Sequence, residues 1–152
     1  MNRIAVTLGV SLGVFIGLAF AGDVTVSEAW TRATVPAQKV AGVYFDIESS
    51  ADARLVGVHT DLTEAAEIHL MRMGDGVMQM RSVSAVDLPA SQTVSFKPGG
   101  YHVMLFDLPR QLQAGERISL ELIVEDANGQ QSEVAVTVQV RNLDGSKVHQ
   151  HH

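Results

Sequence analysis

The sequence predicts an all-β protein of one domain, a Greek-key β-sandwich or barrel, and three observations favour this class. Beyond residue 22, apolar residues recur at every second position in several segments, as on strands with one buried face. No segment there keeps an apolar period of 3.6 residues beyond two helical turns. Glycine, proline and short polar clusters divide the chain into pieces of strand length, which is typical of sandwiches and barrels.

The chain divides into three predicted parts. Residues 1–21 have a basic start, an apolar middle and a final Ala-Phe-Ala, which is the pattern of a cleaved secretory signal peptide. A retained membrane anchor is the alternative, but the apolar stretch is shorter than the about 20 residues that cross a bilayer. Residues 22–141 form the predicted domain, and residues 142–152 a flexible tail that contains histidines. A signal peptide without a following cysteine predicts the periplasm.

Eight or nine strands are predicted in this domain. The last two are the clearest, because ERISLELIVED and SEVAVTVQV alternate strictly and the Asn128-Gly129 dipeptide between them is a hairpin signal. The earlier strands are predicted at residues 23–30, 41–48, 53–60, 65–73, 77–84, 92–97 and 101–107.

The composition argues against several classes of function. The 152 residues are 46% hydrophobic and 18% charged, as in a globular protein with a core. Cysteine is absent, which removes disulfides, thiol catalysis, iron–sulfur clusters and the cysteine-ligated blue-copper centre. The formal charge of −6 argues against nucleic acid and anionic membranes as partners and suits a cation. No Ser/His/Asp set, carboxylate pair or phosphate-binding loop indicates an enzyme.

Methionine and histidine concentrate in one predicted hairpin. Four of the six methionines lie between residues 71 and 80, on both sides of Asp75-Gly76. A two-residue turn at this dipeptide would pair Met71 with Met80, and the outer two methionines with each other. That register puts five side chains on one face of the hairpin: His69, Met71, Met73, Met78 and Met80.

A second predicted strand repeats the His-x-Met pattern. In YHVMLFDL, His102 and Met104 are two residues apart and project from the same side of the strand. Any one of these residues could be a methionine that fills a gap in the core or a hydrogen-bonded histidine. As a group, however, they replace the Val, Ile and Leu of a core face with neutral imidazole and thioether, donors that select Cu(I) over zinc, calcium or magnesium.

The spacing of these residues resembles a known signature. His69, ten residues, Met80, twenty-one residues, His102, one residue and Met104 match H(M)-x10-M-x21-H-x-M, the motif of the periplasmic copper chaperone family called PCuAC. The likeness extends over SEAWTRATVPAQKVAGVYFDI, AEIHLMRMGDGVMQMR and FKPGGYHVMLFDL. It implies a cupredoxin-like β-sandwich that binds one Cu(I) through those four residues. Met71 lies one residue from the optional methionine of the motif and is a candidate auxiliary or exchange ligand.

The resemblance also implies a function in copper delivery. It implies that the protein carries Cu(I) for assembly of the copper centre of cytochrome c oxidase, with the oxidase copper-centre subunit or a thiol-bearing assembly chaperone as acceptor. General copper trafficking or resistance is the alternative function, and a non-metal β-sandwich interaction module is a more distant one. We expect a monomer that is not an enzyme, binds no nucleic acid and leaves the membrane once the signal is cleaved.

Transfer of copper sets two further expectations. Donor and acceptor must share the ion in an intermediate, so we expect the four ligands at an exposed edge of the fold. Neutral ligands would leave the charge of Cu(I) uncompensated locally, so the ion could pass readily to a thiolate.

Other residues have open interpretations. Met73 and Met78 are interpreted as a hydrophobic shield over the metal, as a docking surface for a partner or as residues that simply pack against their neighbours. His59 is interpreted as structural. Core packing and a wall beside the metal are the two interpretations of the aromatic residues Trp30, Tyr44 and Phe45. Because histidine-rich tails bind borderline metals, the tail suggests a second, flexible site for Cu(II) at His149, His151 and His152.

Overall fold

The computed structural model describes residues 22–149, a range in which strands are joined by turns and loops and no helix occurs. The all-β prediction is therefore confirmed. Nothing in that range provides a helix long and apolar enough to cross a membrane. In chain order the strands are β1 (Val24–Arg32), β2 (Ala41–Ser49), β3 (Ala53–His59), β4 (Ala66–Gly74), β5 (Val77–Ser82), β6 (Val86–Leu88), β7 (Thr93–Phe96), β8 (Tyr101–Leu105), β9 (Arg117–Asp126) and β10 (Gln131–Arg141).

The predicted strands agree with the observed ones to within about two residues at each end, apart from β6, which was missed. β6 has three residues, of which Val86 and Leu88 are buried where the strand pairs with β3. Such a short segment gives too few alternations for a periodic signal.

The strands form one sheet in the order β5-β4-β8-β7-β2-β1-β10-β9-β3-β6. Over the described part of the chain, β1 with β10 and β7 with β8 are parallel pairs, and the other pairings are antiparallel. The sheet curls upon itself, because β3 contacts β4 and β6 contacts β2. This order places β4 beside β8 in the interior of the sheet and leaves β5 at one end.

The core lies inside the curl and consists of the apolar positions of the alternating strands. In β9 the buried residues are the predicted alternating set, Ile118, Leu120, Leu122 and Val124. Phe45 of β2 stacks on Phe96 of β7 with ring centroids 4.5 Å apart, which confirms Phe45 as a core residue. In β8, Val103 and Leu105 point into this core, so the alternate residues of β8 point to the opposite face.

The β4–β5 hairpin has the predicted register. Asp75 (φ 50°) and Gly76 (φ 75°) both lie in the left-handed region, as a type I′ turn of two residues requires. The pairing therefore follows the prediction, with Met71 opposite Met80, Met73 opposite Met78 and His69 opposite Ser82.

Candidate metal centre

Two histidines meet at the middle of the candidate site because β4 and β8 are neighbours in the sheet. His69 and His102 lie directly opposite each other in the register of these strands, with ring centroids 5.9 Å apart. Two metal–nitrogen bonds of about 2 Å each can bridge rings at this separation. The structure thus brings together the two imidazoles that the sequence singled out.

In each histidine one ring nitrogen is hydrogen-bonded and the other has no partner. His102 Nδ1 lies 3.0 Å from the carbonyl oxygen of Gly100, and His69 Nε2 lies 2.8 Å from the carboxylate of Glu67. Carbonyl and carboxylate oxygens only accept hydrogen bonds, so both of these nitrogens donate. In the neutral rings, His69 Nδ1 and His102 Nε2 therefore carry free lone pairs. Both are buried and find no hydrogen-bond partner within residues 22–149.

Two buried lone pairs without partners are costly unless a ligand uses them. A buried polar atom left unpaired costs about 1–3 kcal/mol. Metal-binding histidines commonly have this arrangement, in which the second ring nitrogen donates to a carboxylate or a backbone carbonyl and so fixes the tautomer. The donor atoms of this site consequently fit a metal ion.

Sulfur atoms supply the other donors on this face. Met104 follows His102 by two residues on β8, and Met80 of β5 lies opposite Met71, one pair along the hairpin from His69. Met104 and Met71 are half-buried, whereas Met80 is exposed. Over the described residues no three His, Asp, Glu or Cys side chains converge on a common point. The methionines of this face are therefore the candidates for the further side-chain ligands of a metal ion at the histidine pair.

The expectation that all four predicted ligands lie at an exposed edge is wrong for the histidines. The His69 side chain is only 12% exposed and His102 is 4% exposed. Their strands lie inside the sheet, and the ring of Phe106 covers His69 at a centroid distance of 5.7 Å. Of the four predicted ligands, Met80 alone belongs to an end strand and is exposed, so Met80 forms the open side of the site.

Aromatic rings stand beside His102. The ring of Tyr44 lies 6.4 Å from that of His102, and Trp30 lies 4.8 Å from Tyr44. The side chain of Tyr44 lies over Gly42. A Cβ atom on residue 42 would be only 2.7 Å from the phenolic oxygen of Tyr44. Since Gly42 pairs with Met104, the missing side chain makes room for a ring next to the site. Trp30 and Tyr44 were interpreted either as core packing or as a wall beside the metal, and this arrangement favours the wall beside the metal.

Glu67 belongs to the candidate site and was not predicted from the sequence. This carboxylate fixes the tautomer of His69 and is itself half exposed to solvent. It also places a negative charge next to the candidate centre, so the expectation that a bound cation stays uncompensated locally is wrong. The available signal was its position two residues before His69, which puts both side chains on one face of a strand.

The described part of the tail begins with a hydrogen-bonded turn. The amide of Asn142 donates to the carbonyl of Ser146 at 3.1 Å, and the amide of Gly145 donates to the carbonyl of Asn142 at 2.8 Å. His149 is exposed. The predicted signal peptide, residues 1–21, and the tail histidines His151 and His152 lie outside the described residues.

Comparisons with known proteins agree on one relationship. The family described as putative lipoprotein LpqE-like matches residues 24–140. A putative lipoprotein, Lxx21020 of Leifsonia xyli subsp. xyli (strain CTCB07), is 33% identical over 121 residues, which cover 78% of this chain and 70% of the relative. The copper-bound PCuAC domain from PmoF2 is similar with a TM-score of 0.64 and 25% identity, covering 81% of this chain and 97% of that domain. Apo-DR1885 from Deinococcus radiodurans is similar with a TM-score of 0.56 and 26% identity, covering 96% and 100%.

Proposed function

This chain belongs to the LpqE-like family and has the cupredoxin-like fold of PCuAC domains, and on that premise we propose that it is a periplasmic copper chaperone that binds one Cu(I) ion. The observation that carries the proposal is the pair of buried lone pairs on His69 Nδ1 and His102 Nε2, which lie on the methionine-bearing face of the sheet and have no hydrogen-bond partner in the described chain.

The proposed ligands are two nitrogens and two sulfurs: His69 Nδ1, His102 Nε2, Met80 Sδ and Met104 Sδ. Met71, which lies opposite Met80, is the proposed auxiliary or exchange ligand. Neutral imidazole and thioether are soft donors that suit Cu(I). Because a thioether carries no proton, binding of the metal by methionine does not require deprotonation.

Delivery follows from the asymmetry of the site. The histidines are enclosed, whereas Met80 is 45% exposed on an end strand of the sheet. An acceptor thiolate can therefore approach at Met80, form a copper–thiolate bond and displace a thioether while the ion stays Cu(I). By its resemblance to PCuAC, we propose that the copper serves the assembly of the cytochrome c oxidase copper centre, through the oxidase subunit or a thiol-bearing assembly chaperone.

Titration of residues 22–152 with Cu(I) under reductant, against the chromogenic chelator bicinchoninate, tests the carrier function. We expect one tightly bound ion per chain. Trp30 gives a second readout, because it is the sole tryptophan and lies next to Tyr44 beside His102. Failure of the chain to compete with the chelator would contradict the proposal.

Glu67→Ala is expected to weaken Cu(I) binding about 10- to 100-fold, since loss of the partner that orients a ligating histidine commonly has this effect. Glu67→Gln should lower the Cu(I) affinity less, because the amide oxygen of glutamine still accepts the hydrogen bond from His69 Nε2 and only the negative charge is removed. Chelator competition measures both variants, with Glu133→Ala, an exposed glutamate of β10, as the control. An unchanged affinity in Glu67→Ala would show that this carboxylate does not support the metal.

The histidines of the tail are proposed as a separate Cu(II) site, formed by His149, His151 and His152. We expect deletion of residues 147–152 to reduce the Cu(II) stoichiometry and to leave the single Cu(I) ion in place, since imidazole binds Cu(II) without help from sulfur. Equilibrium dialysis of the full and shortened chains measures both ions. Equal Cu(II) stoichiometry in the two chains would contradict a tail site.

A further inference from the structure

The β4–β5 hairpin carries two successive pairs of methionines on the face of His69. The outer pair is Met73 opposite Met78, next to the turn, and the inner pair is Met71 opposite Met80, next to the histidine. Side chains directly opposite on neighbouring strands have Cβ atoms about 4.5–5.5 Å apart, and successive pairs on one face lie about 6.6 Å apart. The sulfur-bearing side chains thus form a short ladder that ends at the proposed centre.

Exposure to solvent falls along this ladder towards the histidines. The exposed fractions are 63% for Met73, 47% for Met78, 45% for Met80, 12% for the His69 side chain and 4% for His102. Side chains as exposed as the outer pair bury little apolar area, so simple packing does not account for them. A shield over the metal does not account for them either, since they lie beyond the inner pair and open to solvent.

The backbone holds the two outer sulfurs on the same side of the hairpin. The type I′ turn at Asp75-Gly76 fixes the register, and the opposite face is occupied by Gln79 and Arg81, whose side chains are joined by a hydrogen bond of 3.1 Å. Two metal–sulfur bonds of about 2.3 Å each span a distance close to the spacing of a cross-strand pair. Methionine is unbranched and flexible enough to close the remaining difference.

We propose that Met73 and Met78, the capture pair, take up Cu(I) first and pass it through Met71 and Met80 to the histidine pair. This inference rests on the proposed function of the chain as a Cu(I) carrier. At each step one bond forms, from copper to a methionine sulfur or, at the end of the path, to a histidine nitrogen, as one bond to a previous ligand breaks, beginning with a ligand of the donor complex. The ion stays Cu(I), and since thioethers carry no proton, no proton or electron is exchanged.

The rate of loading tests the capture pair separately from the final affinity. Stopped-flow mixing of the Cu(I)–bicinchoninate complex with the wild-type chain is compared with Met73→Leu/Met78→Leu, which keeps apolar volume but removes both sulfurs. We expect loading to slow about tenfold or more, while the equilibrium affinity and the stoichiometry of one ion are unchanged. Val77→Ala is the matched control, because Val77 is 62% exposed at the same turn but lies on the opposite face.

Direct binding to the capture pair is observable by NMR of the methionine methyl groups with Ag(I), a soft ion of the same charge that does not change oxidation state under these conditions. In His69→Ala/His102→Ala, where the inner site is disabled, we expect the Met73 and Met78 methyl signals to shift with weak affinity. If that variant does not fold, the wild-type chain serves, and the same two signals should shift with the second equivalent of Ag(I).

The outcomes separate the two proposals. An unchanged loading rate in the leucine variant, a lowered equilibrium affinity in that variant, or unshifted Met73 and Met78 methyl signals would each overturn the capture pair and leave the carrier function intact. A wild-type chain that holds no Cu(I) at equilibrium would overturn the carrier function, whereas Ag(I) shifts at Met73 and Met78 would still support a soft-metal site on the hairpin.

Discussion

Replacement of His69 and His102 by alanine together is expected to abolish tight Cu(I) binding. Removing only the hydrogen-bond partner of a ligating histidine lowers metal affinity about 10- to 100-fold. Removing both ligating nitrogens should therefore lower the Cu(I) affinity by more than about 100-fold. The measurement is competition with bicinchoninate under reductant. His59→Ala is the control, because His59 lies exposed at the end of β3 and the substitution removes an imidazole without touching the candidate centre.

The same variant separates a metal role from a structural one. Removal of the imidazoles leaves neither hydrogen-bond acceptor unsatisfied. The Gly100 carbonyl still accepts a hydrogen bond from the amide of Met71 at 3.1 Å, and the carboxylate of Glu67 is half exposed and can be hydrated. Binding of a ligand to the folded state raises its stability by mass action. We therefore expect Cu(I) to raise the melting temperature of the wild-type chain much more than that of the variant, which keeps only weak thioether sites. Wild-type affinity in the double variant would mean that the histidine pair is not the copper site.

Local sequence rules predicted the strands and the hairpin of this fold, because those features depend on nearby residues. Strict alternation located β9 and β10, and the Asp75-Gly76 turn fixed the register of β4 against β5. The three residues of β6 were too few to give a period. The pairing of β4 with β8 has no turn signal, since the two strands are separated along the chain by β5, β6 and β7.

The sequence singled out the two histidines that meet at the candidate centre, but it did not predict their burial. His69 and His102 were chosen by spacing, yet their exposure depends on which strands flank β4 and β8 and on aromatic rings from other segments, such as Phe106. Glu67 was not predicted because the pattern that indicated the site consists of methionine and histidine and contains no carboxylate. A carboxylate two residues from a strand histidine is a signal that a sequence can provide, whereas the burial of the imidazole is a property of the folded sheet.

Met80→Leu together with Met104→Leu is expected to lower the Cu(I) affinity by at least about 100-fold, while both histidines stay in place. In the proposed site the thioether sulfurs select Cu(I), so we expect the variant and the wild-type chain to have the same affinity for Co²⁺ and for Zn²⁺. Exchange of methionine for leucine nearly conserves volume and usually costs less than about 1.5 kcal/mol, so the fold should persist. Chelator competition measures the affinity, and X-ray absorption at the copper edge reports whether sulfur remains bound.

The capture-pair variant, Met73→Leu/Met78→Leu, is the matched control for this experiment. It removes the same number of sulfurs from the same face of the sheet, at positions farther from His69. If the two double variants lose Cu(I) affinity equally, the outer sulfurs hold the ion at equilibrium as much as Met80 and Met104 do, and the division into a capture pair and final ligands is wrong. If only Met80→Leu/Met104→Leu loses Cu(I) affinity, the sulfurs nearest the buried nitrogens hold the ion at equilibrium. The outer sulfurs of Met73 and Met78 then affect only the rate at which the site is loaded.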